Sequence, residues 1–298
     1  MMTIPIALDD LADSRLDAFR NLPERTLRGE SLFIAEGELV ADRLLRSGYP
    51  IESVLVARDV PQAMAVLPAV PENVPVYSLP AKVMLSEIVG FPYYHGVLVL
   101  ARRPELRQFG DLFGLGLRGD EGSEPDYSSV AGAWVVLPDA TKPDNLGLVF
   151  RSAAALGARG VVLGEKCCDP FSRRALRVSM GGVLQVPICV SRDLAGDLKE
   201  LRLRRTRRED APVLFATVLA EDAVRSTTKE SYPACSLLLF GNEYTGLTPE
   251  LVAICDEKIM IPIRPDVDSL NLGVSAGIFL YEYKRLARES ESRPGKLG

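Results

Sequence analysis

Asn145 and Arg151 place an amide and a guanidinium six residues apart in Pro138-Asp-Ala-Thr-Lys-Pro-Asp-Asn-Leu-Gly-Leu-Val-Phe-Arg. Phe240-Gly-Asn-Glu-Tyr-Thr-Gly-Leu sets the carboxylate of Glu243 between two glycines, whose backbone can come close to a ligand. Ile261-Pro-Ile-Arg-Pro-Asp-Val-Asp-Ser-Leu-Asn-Leu-Gly adds the hydroxyl of Ser269 and the amide of Asn271. Each cluster follows an apolar run, and in open α/β sheets ligands bind beyond the carboxyl ends of strands. The set suits hydrogen bonding and charge stabilisation. With one histidine in the chain, His95, a metal site or relay built on two imidazoles is excluded. His95 itself sits in Phe91-Pro-Tyr-Tyr-His-Gly-Val-Leu, an apolar setting that reads as structural. Each cluster also has a plain structural reading. Asn145, Ser269 and Asn271 are good helix caps, and Arg151 and Glu243 would serve as solvated surface charges.

The elements that must hold these residues alternate between strand and helix, the pattern of a largely parallel sheet. Ala133–Leu137, Gly160–Gly164, Val213–Val218, Ser236–Phe240 and Lys258–Ile263 read as strands. A helix over 145–156 buries Leu146, Val149, Phe150 and Ala153, at i, i+3, i+4 and i+7. Asp193 caps a helix reaching about Arg204, and Thr248-Pro-Glu opens another with proline at its first position. The last helix runs from about Leu270 to Arg288, ahead of a frayed tail, Glu289–Gly298. Nearer the N-terminus, Phe33–Gly37, Ile51–Val56 and Gly96–Ala101 read as strands. A helix over 38–46 places Leu39, Leu44 and Leu45 near one face, and Ser78 caps a helix over 79–88.

The chain has 298 residues, enough for two domains at roughly 150 residues each. Its segments read as a small α/β unit over 1–104, a Gly- and acid-rich linker or loop over 105–130, and a larger α/β domain over 131–298. Gly114-Leu-Gly-Leu-Arg-Gly in the linker matches a dinucleotide fingerprint by letter. It runs into Asp120-Glu-Gly-Ser-Glu-Pro, which cannot open the helix that such a site requires, so an NAD-dependent oxidoreductase fails on context. No Gly-Lys-Ser/Thr follows the Gly241 turn, so it is not a nucleoside-triphosphate loop. The net charge of −5 argues against a globally basic nucleic-acid binder, yet 142–208 holds fourteen Lys and Arg against six Asp and Glu. Five cysteines without a C-x-x-C pair indicate thiols in a reducing, cytoplasmic setting. The acidic N-terminus is not a secretory signal, and no apolar run is long enough for a membrane helix.

In order and spacing, Asn145-(five residues)-Arg151, Gly241-Asn-Glu-Tyr-Thr-Gly-Leu and Ile261-Pro-Ile…Ser269-Leu-Asn resemble the SpoU (TrmH-like) family of S-adenosylmethionine-dependent RNA 2′-O-ribose methyltransferases, in the SPOUT superfamily. Asp169-Pro-Phe-Ser-Arg-Arg-Ala-Leu-Arg-Val-Ser-Met-Gly-Gly is also familial in character, and the similarity runs from about Ala133 to Arg288. The resemblance implies an α/β fold. Its C-terminal methyltransferase domain would be trefoil-knotted, behind a small N-terminal ribosomal-protein-like domain that binds RNA. It further implies a homodimer, S-adenosylmethionine as cofactor, and transfer of its methyl group to a ribose 2′-hydroxyl of structured RNA, ribosomal in preference to transfer. Carried over residue by residue, Leu238, Gly241, Asn242, Ile261 and Leu270 would line the cofactor site. Arg151 would approach the 2′-hydroxyl, with Asn145, Glu243, Ser269 and Asn271 completing the catalytic group. A guanidinium is a poor base, so electrostatic help to a developing alkoxide is the favoured role for Arg151. Arg173, Arg174 and Arg177 are the expected RNA contacts, and the basic run Arg202–Arg208 is either a phosphate contact or a solvated helix end. Tyr244, Thr245, Asp266 and Asp268 depart from the family pattern, and the two aspartates make the third motif acidic. An inactive RNA-binding module and a knotted base methyltransferase are the alternatives.

Overall fold

The computed structural model describes residues 4–22, 31–115, 127–205, 211–219, 225–226, 232–264 and 266–292. The chain forms two compact units. Unit 1 comprises Met1–Glu105 and Asp169–Gln185, and unit 2 comprises Leu106–Cys168 and Val186–Gly298. Residues 169–185 lie inside the stretch that the sequence assigns to the larger domain, yet they pack as part of unit 1.

Unit 1 is a mixed five-stranded sheet of β1 (Ile6–Ala7), β2 (Leu32–Glu36), β3 (Ile51–Ala57), β4 (Val76–Leu79) and β5 (Val97–Arg102), in the order β1-β4-β3-β5-β2. Helices α1 (Glu38–Leu45), α2 (Pro61–Met64) and α3 (Lys82–Val89) connect the strands. In α1 the buried stripe is Val40, Ala41, Leu44 and Leu45, while Leu39 is exposed, contrary to the sequence reading. Ser78 is no cap either: it lies buried within β4. The first amide of α3 is satisfied instead by Asp59, whose Oδ1 accepts from Lys82 N at 2.8 Å, a partner twenty-three residues away and invisible to local pattern.

Unit 2 is an eight-stranded, all-parallel sheet. Its strands are β6 (Arg107–Gln108), β7 (Gly132–Leu137), β8 (Gly160–Leu163), β9 (Ile188–Val190), β10 (Val213–Thr217), β11 (Arg225–Ser226), β12 (Cys235–Leu239) and β13 (Glu257–Met260). Their order is β11-β13-β10-β12-β7-β8-β9-β6. The central strands are buried continuously, as strands covered on both faces require. Helices α4 (Phe109–Leu112), α5 (Pro143–Leu156), α7 (Leu194–Arg204), α8 (Pro249–Ile254) and α9 (Leu272–Ser292) belong to this unit, and α6 (Arg173–Val178) belongs to unit 1. Thr248 caps α8 and Asp193 caps α7, each side chain accepting from an amide three residues on. Residues 289–292, read from sequence as part of a frayed tail, continue α9. The rest of that tail, 293–298, is outside the described residues.

The stretch expected to be a linker is partly structured. β6 pairs with β9, and Phe109 and Phe113 stack with ring centroids 4.5 Å apart, Phe113 meeting Trp134 edge-on. Two aromatics at i and i+4 outweigh the glycine-rich composition around them. Residues 116–126, which hold most of the glycine decoy and the acidic run, are outside the described residues.

Candidate active site

A cavity of about 420 Å³ opens at the carboxyl ends of β10, β12 and β13. Thr217–Leu219 forms one wall, the loop Phe240–Leu247 a second, and Ile261, Ile263 and Asp268–Leu270 a third. Leu272, Ser275 and Phe279 of α9 close it. Gly241, Asn242, Glu243, Ile261, Ser269 and Leu270, singled out from separate stretches of sequence, all line this one space.

The Gly241 loop is tightly folded. A Cβ on Gly241 would lie 2.1 Å from the Gly246 carbonyl carbon and 2.3 Å from the Leu247 nitrogen, so only glycine fits. Asn242 and Gly246 exchange amide hydrogen bonds, and Asn242 Oδ1 accepts from Tyr244 N at 2.9 Å. Lys142 donates to the Tyr244 hydroxyl at 2.7 Å and sits 4.4 Å from its ring centroid, tying the loop after β7 to the loop after β12. That hydrogen bond raises the Lys142 ammonium above the usual lysine range. Glu243 Oε1 is buried without a hydrogen-bond partner in the cavity lining.

Asn145 is not the helix cap that its position suggests. Lys142 flanks the helix, Pro143 takes the first position, and Asn145 is the third residue of α5, with its side chain buried. Its Oδ1 accepts from Asn271 Nδ2 at 2.9 Å, while Asn271 Oδ1 accepts from Gly273 N. The two amides thus lock the start of α9 to the start of α5. Gly273 permits the close approach, since a Cβ there would lie 2.4 Å from Leu148 Cβ.

Arg151 is exposed and does not line the cavity. It borders an open groove between α5 and α9, whose α9 side is Gly273, Val274, Gly277, Ile278 and Tyr281. α9 therefore presents one stripe (272, 275, 279) to the cavity and another to the Arg151 groove. Leu238 is fully buried in β12 and is not in the lining. The lining contains instead Thr217–Leu219, which sequence reasoning missed. No signal in the sequence marks them: β10 lies between β12 and β13 only in the folded sheet, and that order brings its end into the same space.

Arg173, Arg174 and Arg177 belong to unit 1. Arg173 is buried and donates to Glu36 Oε2 at 2.8 Å and to the Leu22 carbonyl at 3.1 Å. Arg177 pairs with the other oxygen of Glu36. In unit 2, Arg202 donates to the Ala253 and Ile254 carbonyls at the end of α8, Arg204 pairs with Glu200, and Arg205 pairs with Asp256. This half of the basic run is engaged in internal bonds. Arg207 and Arg208 lie outside the described residues.

A cavity beyond the strand ends of a parallel α/β sheet is where open α/β proteins bind their ligands. The SpoU rRNA Methylase family model matches residues 132–281, and the chain belongs to that family. An uncharacterized tRNA/rRNA methyltransferase of Mycobacterium bovis is 33% identical over 285 residues, covering 93% of this chain and 90% of the relative. The 23S rRNA (adenosine(1067)-2′-O)-methyltransferase of Streptomyces laurentii is 34% identical over 185 residues, 61% of this chain and 64% of that one. Among solved structures, the AdoMet-bound rRNA methyltransferase from Sinorhizobium meliloti superposes with a TM-score of 0.70 at 26% identity, covering 94% of this chain and 97% of that chain.

Proposed function

We infer that the protein transfers a methyl group from S-adenosylmethionine to a ribose 2′-hydroxyl of RNA. The observation that carries this reading is the cavity into which Gly241, Glu243, Ile261, Ser269 and Leu270 converge, in a chain of the SpoU family. The lining suits the cofactor: Ile261, Leu270 and Phe279 give apolar surface, Glu243 and Ser269 give polar groups, and the Gly241 loop, packed on its own Gly246–Leu247 backbone, makes one fixed wall. Bound S-adenosylmethionine supplies an electrophilic methyl group on a sulfonium.

The rest is done by the chain. The Asn145–Asn271 pair fixes the start of α9, which carries Leu272, Ser275 and Phe279 into the cavity wall. Alignment of the acceptor hydroxyl with the breaking bond is worth several kcal/mol of barrier in well-oriented reactions, on the order of 7–11 kcal/mol at the limit. With the cofactor bound, the C–O bond would form as the sulfonium–methyl bond breaks, the sulfur would leave as a neutral thioether and the hydroxyl proton would pass to solvent; the role that falls to Arg151 is to stabilise charge on the ribose oxygen and the adjacent phosphate.

The homodimer belongs to the same reading. Val274 and Tyr281 are 50% and 56% exposed on the groove that Arg151 borders, and a second copy seated there would cover them and bring Arg151 to the edge of a composite site. The trefoil knot is part of it too, supported by the convergence of the loops after β12 and β13 on one cavity under α9. Ribosomal RNA is the favoured substrate, by analogy with the named relatives. A cytoplasmic place follows from that substrate and from five cysteines present as thiols.

Calorimetric titration with S-adenosylmethionine, with NADH as control, tests the cofactor; binding near one per chain is expected. Nuclease digestion of RNA methylated by the protein, followed by mass analysis of its nucleosides, tests the chemistry. A methyl group found on a base would overturn ribose transfer. Failure to bind cofactor or to methylate RNA would leave an RNA-binding module.

A further inference from the structure

Unit 1 has its own cleft, of about 440 Å³, within the roughly 300–1,000 Å³ of small-molecule sites. Its floor is a locked charge network. Glu36 is buried, with Arg173 on one carboxylate oxygen and Arg177 on the other, and the Arg173 guanidinium lies 4.4 Å from the Phe91 ring centroid. The acid is thus neutralised from within. Across the lining, three arginines face one carboxylate, which favours an anion. The rim is aromatic. Tyr94 is 80% exposed, beside His95, whose ring is held by Glu38 Oε2 at 3.2 Å and by the Tyr93 edge. Burial pushes the Glu38 carboxyl up, but hydrogen bonds from the Gly96 and Glu38 amides and the neighbouring His95 outweigh it, holding Glu38 below the usual carboxylate range. An exposed phenol ring in the same lining as Arg174 and the Glu36-anchored Arg177 is the chemistry that suits a nucleotide: a π-face for a base and cations for its phosphate.

We propose that this cleft binds one unpaired nucleotide of the RNA strand, its base stacked on Tyr94 and its phosphate against Arg174 and Arg177. The proposal rests on RNA being the substrate. It assigns to unit 1 a selection for single-stranded or splayed-out nucleotides, because a base held in a duplex cannot reach a ring face.

The test is fluorescence anisotropy of the full chain with a labelled single-stranded RNA 12-mer and with the same sequence as a blunt duplex. Tyr94→Ala should weaken single-strand binding by about 5- to 150-fold, the loss expected when a stacking aromatic is removed. It should leave duplex binding within about two-fold, and Tyr94→Phe should retain the parent affinity. Arg174→Ala should lower the slope of log affinity against log salt by about 0.7, one single-strand phosphate contact. Equal affinities for Tyr94→Ala and the parent, parallel losses on single strand and duplex, or no single-strand binding by the parent would each overturn the proposal. Calorimetry with S-adenosylmethionine on the same proteins separates the two readings. A parent chain that fails to bind cofactor defeats the methyltransferase assignment and leaves the stacking result standing. A parent that binds cofactor while Tyr94→Ala changes nothing defeats the cleft alone.

Discussion

At the scale of single residues, the cavity and the groove divide the work, and substitutions should divide with them. Arg151 borders the α5–α9 groove and stays out of the cavity lining. Arg151→Ala should therefore abolish methyl transfer, by at least about 100-fold if it stabilises the reacting oxygen, while cofactor affinity stays within a few-fold. Single-turnover transfer and calorimetry on one preparation check both halves, and a fully active variant would remove Arg151 from the mechanism. Gly241→Ala should do the reverse. Its Cβ would press on the backbone of Gly246 and Leu247, not on a side chain that could swing away. Loss of cofactor binding is expected, with a stability cost of about 1–3 kcal/mol from the forced backbone shift. Denaturant unfolding with and without S-adenosylmethionine reads both. The glycine and the acid of this loop were legible in sequence because a motif of fixed spacing carries them. The unpartnered Glu243 oxygen was not, since burial depends on what the fold brings over it.

At the scale of elements, the described arginines of the basic run are engaged in internal bonds. Arg202 and Arg205 at the end of α7 tie α8 and the start of β10 together through the Ala253 and Ile254 carbonyls and Asp256. Asp256 also accepts from the Leu214 amide at 2.9 Å. Replacing both arginines by alanine should cost about 1–3 kcal/mol in total, because Arg202 is exposed and its bonds are screened by solvent. It should leave the salt dependence of RNA affinity unchanged, measured by denaturation and by binding at several salt concentrations; a flattened slope would restore the phosphate-contact reading. Burial raises the Asp256 carboxyl, but its bonds to Arg205 and Leu214 outweigh that and hold it below the ordinary carboxylate range. Its folded value being the lower one, the stability it contributes is present above the unfolded pKa of about 3.9 and is lost as pH falls through the folded value. Asp256→Asn should accordingly flatten the acid limb of a stability–pH curve.

At the scale of the whole molecule, the exposed face of α9 is the element with most at stake. Val274, Ile278 and Tyr281, with Leu148, Ala155 and Leu156 of α5, make an apolar groove interrupted by Gly273 and Gly277. If two copies meet on this face, as proposed, the parent should be a dimer and Val274→Asp a monomer by sedimentation equilibrium, with transfer abolished and unit 1 still able to bind single-stranded RNA. A monomeric parent would defeat the proposed homodimer, and a dimeric Val274→Asp protein would remove the interface from this face. The grouping of residues 169–185 with unit 1 also matters at this scale, because it gives that unit the three arginines of its cleft from a distant part of the chain.

What the sequence by itself determined was the parallel alternation of strands and helices, the buried stripe of α5, the caps at Asp193 and Thr248, and the three motifs with the family they belong to. Each is written in local spacing, which periodicity, capping preference and motif order read directly. Only the tertiary structure decided that Arg173 is held by Glu36, 137 residues away, that Asn145 pairs with Asn271 instead of capping its helix, and that Thr217–Leu219 forms a cavity wall. It also decided that α9 turns one stripe to the cavity and another to the groove of Arg151. Those outcomes join stretches far apart in the chain and are set by strand order and packing, for which no local pattern of residues holds the information.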